Sequence, residues 1–321
     1  AHKCDAAELS FEGHPNNTSK EHLEALFEVG FKRVSYGIQD YSQKVQMAIN
    51  RIQPYENVKR ATLSAREIGY SSVGHDLVFG LPYQTESDVV ETINKTIPLM
   101  PDRIAFYSYA HVPWLKGNGQ RGYSEKSLPT AEEKRKLYET GKSLLAELGY
   151  REIGMDHFAL PTDTLYTSML NGILHRNFMG YTASKTKLMI GLGISAISDS
   201  WYGFAQNVKG LEEYCYLVEN DILPVFRGHI LDEEDLIIRR HILNLMCRFE
   251  TSWNNREFNF DAIEMVLKKT EELEADGLIK IENNTLTITE AGKPFVRNIC
   301  MAFDARLQRS QPETRLFSMT V

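Results

Sequence analysis

From residue 7 to about 110 the sequence alternates short β-rich runs with amphipathic, capped runs, and no other feature constrains the fold as tightly. Glu8-Leu9-Ser10-Phe11-Glu12 reads as a strand. A helix follows from Ser19, a good N-cap, to Val29, closed by Gly30. Arg33 to Gln39 is the next strand. Asn57 to Ile68 carries apolar residues at Val58, Ala61, Leu63, Ala65 and Ile68, and so predicts a helix ending at Gly69. Ser72 to Phe79 (strand), Thr85 to Leu99 (helix) and Arg103 to Tyr109 (strand) continue the pattern. A Gly- and Ser-rich loop over 116–129 then leads to a helix from Ala131 to Leu148 and a strand from Tyr150 to Met155. Parallel neighbours need a long crossover, usually a helix, so this order predicts α/β architecture with at least five βα-like units around a parallel sheet or barrel.

Beyond about residue 229 the texture changes to helices, Asp232 to Cys247 and Phe260 to Ala275. A hairpin over 278–289 then turns at Asn283-Asn284, an order similar to winged-helix modules. The expected division is therefore residues 1–228 and 229–321. Thirty-six basic against 43 acidic side chains give a net charge of −7, which disfavours nucleic acid as a partner and requires any anionic substrate to find a local basic pocket. The longest nearly apolar run, Leu188 to Ser198, falls short of the ~18 residues a membrane span requires. No signal peptide is evident, and Cys4, Cys215, Cys247 and Cys300 have the wide spacing of reduced thiols, so a cytoplasmic protein is expected. Ala1 to Asp5 read as an interior start, with no initiator methionine. His2, Cys4 and His14 could share a metal, but a solvated terminus is the simpler reading.

In parallel α/β folds ligands sit beyond the carboxyl ends of the strands, which directs attention to Glu12, Gln39, Asp76 and Tyr109-Ala110-His111. A carboxylate there can accept from ribose hydroxyls, and Gln offers both a donor and an acceptor to a zwitterion. Arg51, just after a short helix, could grip a carboxylate in a bidentate pair. Gly191-Leu192-Gly193-Ile194-Ser195-Ala196 has the letters of a dinucleotide fingerprint. The residues after it, Asp199 to Gly203, do not read as the required helix, so the glycines are better explained by close backbone approach to a flat ligand. His157 and His175 could each be a general acid, a ligand or a packed core histidine; neither has a partner at metal-ligand spacing.

Together these stretches resemble the oxygen-independent coproporphyrinogen III oxidases over essentially the whole chain. The resemblance rests on Tyr36-Gly37-Ile38-Gln39-Asp40, Asn50-Arg51, Asp76-Leu77-Val78-Phe79-Gly80-Leu81-Pro82 with Gln84-Thr85, Tyr109 to Pro113, and Gly154 to Ala159. It continues in His175-Arg176-Asn177-Phe178, Gly193 to Ser198, and Arg297 to Asp304. It implies a partial (β/α) radical-SAM barrel, N-terminally incomplete, followed by a small, mostly helical C-terminal domain. In that family a 4Fe-4S cluster on a C-x₃-C-x₂-C loop cleaves S-adenosylmethionine (SAM). The resulting 5′-deoxyadenosyl radical drives decarboxylation of two propionates of coproporphyrinogen III to vinyls, giving protoporphyrinogen IX.

The same resemblance assigns Glu12 to a first SAM, at its ribose, and Gln39, Arg51, Asp76, Ala110 and Ile197 to a second SAM. Arg176 is our inferred anchor for substrate carboxylates. The implied partners are coproporphyrinogen III, an electron donor and an electron acceptor, with no membrane and a monomeric chain. Two departures stand out. The C-x₃-C-x₂-C motif is absent, so the cluster cysteines are expected upstream of Ala1, and the chain taken literally is expected to bind no cluster and to be inactive. Met179 stands where better-known members have Gln. The alternative reading is a haem-binding chaperone of the sister radical-SAM branch.

Overall fold

The structure is a computed structural model that describes residues 7–112, 123–254 and 263–310. The readings of Ala1 to Asp5, of much of the 116–129 loop and of the first residues of the 260–275 helix lie outside the described residues. Residues 7–167 form one compact unit and residues 168–310 a second.

The first unit runs β1 (Leu9–Gly13), α1 (Lys20–Glu28), β2 (Phe31–Gln39), α2 (Gln43–Ala48), α3 (Tyr55–Ile68), β3 (Ser72–Phe79), α4 (Glu86–Thr96), β4 (Arg103–Ser108), α5 (Ala131–Glu147), β5 (Arg151–Gly154) and β6 (His157–Ala159). The helices begin where side chains can satisfy their free N–H groups. Ser19 Oγ accepts from His22 N, and Thr85 with Asp88 and Thr130 with Glu133 form reciprocal capping boxes. Gly69, at φ 107°, ends α3 in the left-handed conformation that costs glycine little.

One sheet has the order β1-β2-β3-β4-β6-β5. Strands β1 to β4 are parallel, as the alternation predicts. The fifth unit differs from the expected single strand over 150–155. That segment continues through Met155, at φ 46°, into a hairpin whose second strand, β6, inserts antiparallel between β4 and β5. The Gly154 to Ala159 motif is this hairpin. Along β2, buried Val34, Tyr36 and Ile38 face α1 and α3, whereas Ser35, Gly37 and Gln39 point to the opposite face. Leu23, Val58, Ala61, Ala65, Val89, Ile93, Leu137 and Leu145 complete the core between sheet and helices. The buried hydroxyls of Tyr70 and Tyr150 donate to the carbonyls of Leu23 (2.8 Å) and Pro101 (2.7 Å), which removes the cost of burying them.

Helix α6 (Thr164–Leu170) leads into the second unit. There β7 (His175–Asn177) and β8 (Gly180–Thr182) form a hairpin. An antiparallel sheet of β9 (Leu188–Met189), β10 (Ile197–Ser200), β11 (Gly203–Asn207) and β12 (Val225–Ile230) has α7 (Leu211–Glu219) between its last two strands. Then come α8 (Glu233–Arg248), β13 (Glu250–Ser252), α9 (Ile263–Ala275), β14 (Ile279–Glu282), β15 (Thr285–Ile288), α10 (Val296–Phe303) and α11 (Ala305–Ser310). The expected hairpin is β14–β15, with Asn283 and Asn284 both at positive φ and β13 as a third strand.

The two compact units divide at 167/168, whereas the change in sequence texture lies near 228/229. The reason lies in α8, which is hydrogen-bonded to the segment before it. Arg239 donates to Asp199 Oδ1 (2.6 Å) and to the Ser200 carbonyl (2.7 Å), and Tyr181 Oη donates to the Met246 carbonyl (2.8 Å). No helix of the described residues is long and apolar enough to cross a membrane.

Candidate functional site

The outward face of β2 carries the centre of the site. Parallel register sets Glu12 of β1 beside Ser35, and Gly37 beside Asp76 of β3. Ser35 Oγ donates to Asp76 Oδ1 at 3.1 Å. Gly74 makes room for that hydroxyl, because a Cβ there would lie 2.9 Å from Ser35 Oγ. Burial is the main force pushing the Asp76 carboxyl up to about 6, and the charge of Glu12 adds to it. The Ser35 hydrogen bond and the Arg51 guanidinium pull the other way.

Arg51 arrives from the segment after α2. Its Nη2 donates to the Gly37 carbonyl at 2.8 Å, and Gln53 Nε2 reaches the same oxygen at 3.2 Å. Arg51 Nε is buried with no hydrogen-bond partner among the described residues, leaving donor capacity in a partly desolvated guanidinium. Gln39 closes β2 with φ 67°. Its Nε2 and the Arg51 guanidinium both crowd the space over Gly37, where a Cβ would lie 2.7 Å and 2.9 Å from them.

Ala110 follows β4 at the same edge of the sheet. The Tyr109 amide donates to the Phe79 carbonyl (2.8 Å), and Lys134 Nζ donates to the Tyr109 carbonyl (3.0 Å). The stem of Lys134 packs over Gly80, where a Cβ would lie 2.9 Å from Lys134 Cε. Five sequence-predicted residues, Glu12, Gln39, Arg51, Asp76 and Ala110, are thus brought to the carboxyl-end side of one parallel sheet, where α/β folds place ligands.

The two others lie in the second unit. Ile197 opens β10, and the loop before it is tied down by Asn207 Nδ2, which donates to the carbonyls of Gly191 (3.1 Å) and Gly193 (2.9 Å). A Cβ on Gly191 would fall 2.7 Å from the Ile197 backbone, so close approach between chain segments accounts for this glycine. A strand follows the loop, as expected for a sequence that is no dinucleotide fold. Arg176 stacks over the Tyr181 ring at 4.7 Å, and its Nη1 is buried without a partner among the described residues. Met179 lies in the two-residue turn of the β7–β8 hairpin, largely exposed, its amide held by Asn177 Oδ1 at 2.9 Å.

His175 is buried, and burial first, then Lys185 and Arg239, hold its pKa below the usual histidine range, which fits a packed neutral imidazole. His157 packs edge-on against Tyr107, with ring centroids 5.6 Å apart. Sequence reasoning missed Ser35, Gln53 and Lys134. Ser35 could have been found from the strand alternation that places it on the same face as Gly37, but nothing local marks Gln53 or Lys134.

A relative named oxygen-independent coproporphyrinogen III oxidase, from Synechocystis, is 39% identical over 327 aligned positions, covering 99% of this chain and 70% of its own length. The chain belongs to the oxygen-independent coproporphyrinogen III oxidase family. Relatives of the same name from Helicobacter pylori and Escherichia coli are 37% and 35% identical and are covered over 67% and 70% of their lengths. The solved structure of the E. coli radical SAM enzyme coproporphyrinogen III oxidase (HemN) superposes with a TM-score of 0.89 at 36% identity, covering 94% of this chain and 70% of that one. The radical SAM superfamily description matches residues 3–96. These relatives support the oxidase reading and lend nothing to the haem-chaperone alternative.

The superfamily implies a 4Fe-4S cluster and SAM. Among the described residues no group of three or more His, Cys, Asp or Glu could hold a metal. The described cysteines are free thiols, Cys215 exposed and Cys247 and Cys300 buried. The described residues therefore do not fit a cluster, whereas the edge with Glu12, Asp76, Gln39 and Arg51 does fit SAM. It offers acidic acceptors for ribose hydroxyls, and a guanidinium and an amide for an amino-acid head group.

Proposed function

We infer that this protein catalyses oxygen-independent oxidative decarboxylation of two propionates of coproporphyrinogen III, giving protoporphyrinogen IX. The observation that carries the reading is the convergence of Glu12, Gln39, Arg51 and Asp76 on one sheet edge in a chain whose relatives bear the oxidase name. Bound SAM and a 4Fe-4S cluster, which the described residues do not themselves hold, would supply the radical chemistry for taking hydrogen from the propionate.

This chain's own residues position the reactants. Arg51 grips a carboxylate with the donor capacity it retains, and Gln39 contributes its amide beside it. Asp76, ionised above about pH 6, accepts from an ammonium or hydroxyl group, and Glu12 serves the neighbouring ribose. The reading extends to two SAM molecules, Glu12 serving one and Gln39, Arg51, Asp76 and Ala110 the other. Arg176, with buried Nη1 free to donate, anchors a propionate carboxylate of the substrate. An electron donor, an electron acceptor and a monomeric cytoplasmic enzyme complete the reading.

The test is anaerobic reconstitution of the full-length protein with iron and sulfide, followed by SAM, a reductant and coproporphyrinogen III. Chromatography after oxidation should show the porphyrin that has lost two carboxyl groups. A fully loaded preparation that leaves the substrate unchanged would overturn the proposal.

A further inference from the structure

Gln39 occupies an unusual turn. Its φ is 67°, and the Asp40 amide donates to the Ile38 carbonyl at 2.9 Å, an i→i+2 bond. A γ-turn of this positive-φ kind is rare and strained for a residue with a side chain, and it persists only where surrounding structure over-determines it.

The surroundings here are buried and polar. Asp40 is fully buried; its Oδ1 accepts from Ser42 N at 2.5 Å and its Oδ2 from Gln84 Nε2 at 2.6 Å. Gln84 in turn grips the end of β3, because its Oε1 accepts from Gly80 N (2.6 Å) and Leu81 N (3.2 Å) while its Nε2 also donates to the Val78 carbonyl (2.8 Å). On the other side, Gln46 Nε2 donates to the Asp40 carbonyl (2.9 Å) and to the Gln53 carbonyl (3.0 Å). The Arg51 amide donates to the Gln46 carbonyl at 2.8 Å. One buried network thus joins the Gln39 turn, the segment bearing Arg51 and the strand bearing Asp76.

We propose that Asp40 and Gln84 form a strap that holds the strained Gln39 turn and fixes Gln39 and Arg51 relative to Asp76, making both of them positioning residues for the amino-acid head group of a SAM molecule. This rests on the reading of Gln39, Arg51 and Asp76 as a SAM site. Asp40 touches no ligand atom itself; it acts through the backbone it holds. An ordinary core carboxylate would affect stability alone, whereas a strap also sets affinity.

The experiment uses the reconstituted full-length protein and SAM as the probe, with binding read by equilibrium dialysis and folding by thermal melts. Asp40→Asn faces one N–H donor with another and should weaken SAM binding about tenfold or more, the scale of a lost charge-assisted hydrogen bond. KM for SAM should rise in step while kcat changes little. Gln84→Glu brings two carboxyls together and should weaken binding similarly. Combining D40N with Q84E restores the donor–acceptor pair between these two side chains, though not the bond to the Val78 carbonyl, and should recover part of the affinity that Q84E loses. Arg51→Ala serves as the control for the site. If R51A leaves SAM binding unchanged, the SAM-site reading fails and the strap falls with it. If R51A weakens binding while D40N and Q84E, both folded, bind as the parent does, the strap alone is overturned. Should D40N fail to fold, Q84E and the double variant decide the matter, and a folded double variant that binds no better than Q84E overturns the proposal.

Discussion

The carbonyl oxygen of Gly37 accepts from Arg51 Nη2 at 2.8 Å, and a Cβ on residue 37 would lie 2.9 Å from that same nitrogen. The hydrogen bond and the missing side chain are two halves of one requirement. The guanidinium can come this close to the strand only because nothing projects from it there.

Gly37→Ala should therefore displace both Arg51 and the Gln39 amide, which would lie 2.7 Å from the new methyl. A fall in SAM affinity of about tenfold is expected, on the scale of one lost hydrogen bond to a charged group. Equilibrium dialysis of the reconstituted protein checks it. An unchanged affinity would show that the guanidinium need not rest on this strand.

Arg103 Nε donates to both carboxylate oxygens of Asp163 (3.0 and 2.9 Å), and Asp163 Oδ1 also accepts from Leu165 N (2.7 Å). The pair is largely buried, with side-chain exposures of 14% and 4%. Removing one partner strands the other in a poor solvent, so Asp163→Ala should cost about 3 kcal/mol or more in a urea titration. A loss below about 1 kcal/mol, the range of exposed pairs, would contradict the burial.

His75 is fully buried, its Nε2 2.9 Å from Thr62 Oγ1, and burial lowers its pKa from 6.5 to about 3, with Arg66 adding to the shift. The unfolded chain takes up this proton near pH 6.5 while the folded chain does not. The stability tied to the neutral ring is therefore complete above 6.5 and is lost as pH falls from there towards 3. In His75→Gln that slope should vanish. Urea midpoints of parent and variant, compared at a neutral and a mildly acidic pH, should draw together on acidification. Asp40 and Asp76, both raised to about 6 mainly by burial, titrate in both proteins and cancel in the comparison.

Arg176→Ala should raise KM for coproporphyrinogen III by about ten- to hundredfold, the scale of a charge-assisted contact to a carboxylate, with the melting temperature little changed. Lysine at this position restores the charge without the planar fork and should recover only part of the loss. Steady-state kinetics at saturating SAM separate these outcomes. A change in stability with no change in KM would mark Arg176 as a structural partner of Tyr181.

The helices and strands of the first unit were largely legible because their signals are local. The cap at Ser19 and the glycine at 69 mark where helices start and stop. Less was legible where the chain reverses. The sequence marks a strand over Tyr150 to Met155, and only pairing with β4 shows that His157 to Ala159 returns as a second strand inserted antiparallel. The change in texture near residue 229 is likewise local, whereas Arg239 and Tyr181 make the contacts that join α8 to what precedes it.

By itself, the sequence determined the family, the parallel strands and the face of β2 on which Ser35, Gly37 and Gln39 fall, because side-chain alternation follows from the pleat. The tertiary structure alone decided which groups share that face. Ser35 meets Asp76 across 41 residues of sequence, Gln84 meets Asp40 across 44, and Arg51 comes to rest over Gly37 from outside the strand. These bonds depend on strand order and register, which local patterns do not encode, and they hold Gln39 in its strained turn, while burial in the same folded setting raises the Asp76 carboxyl.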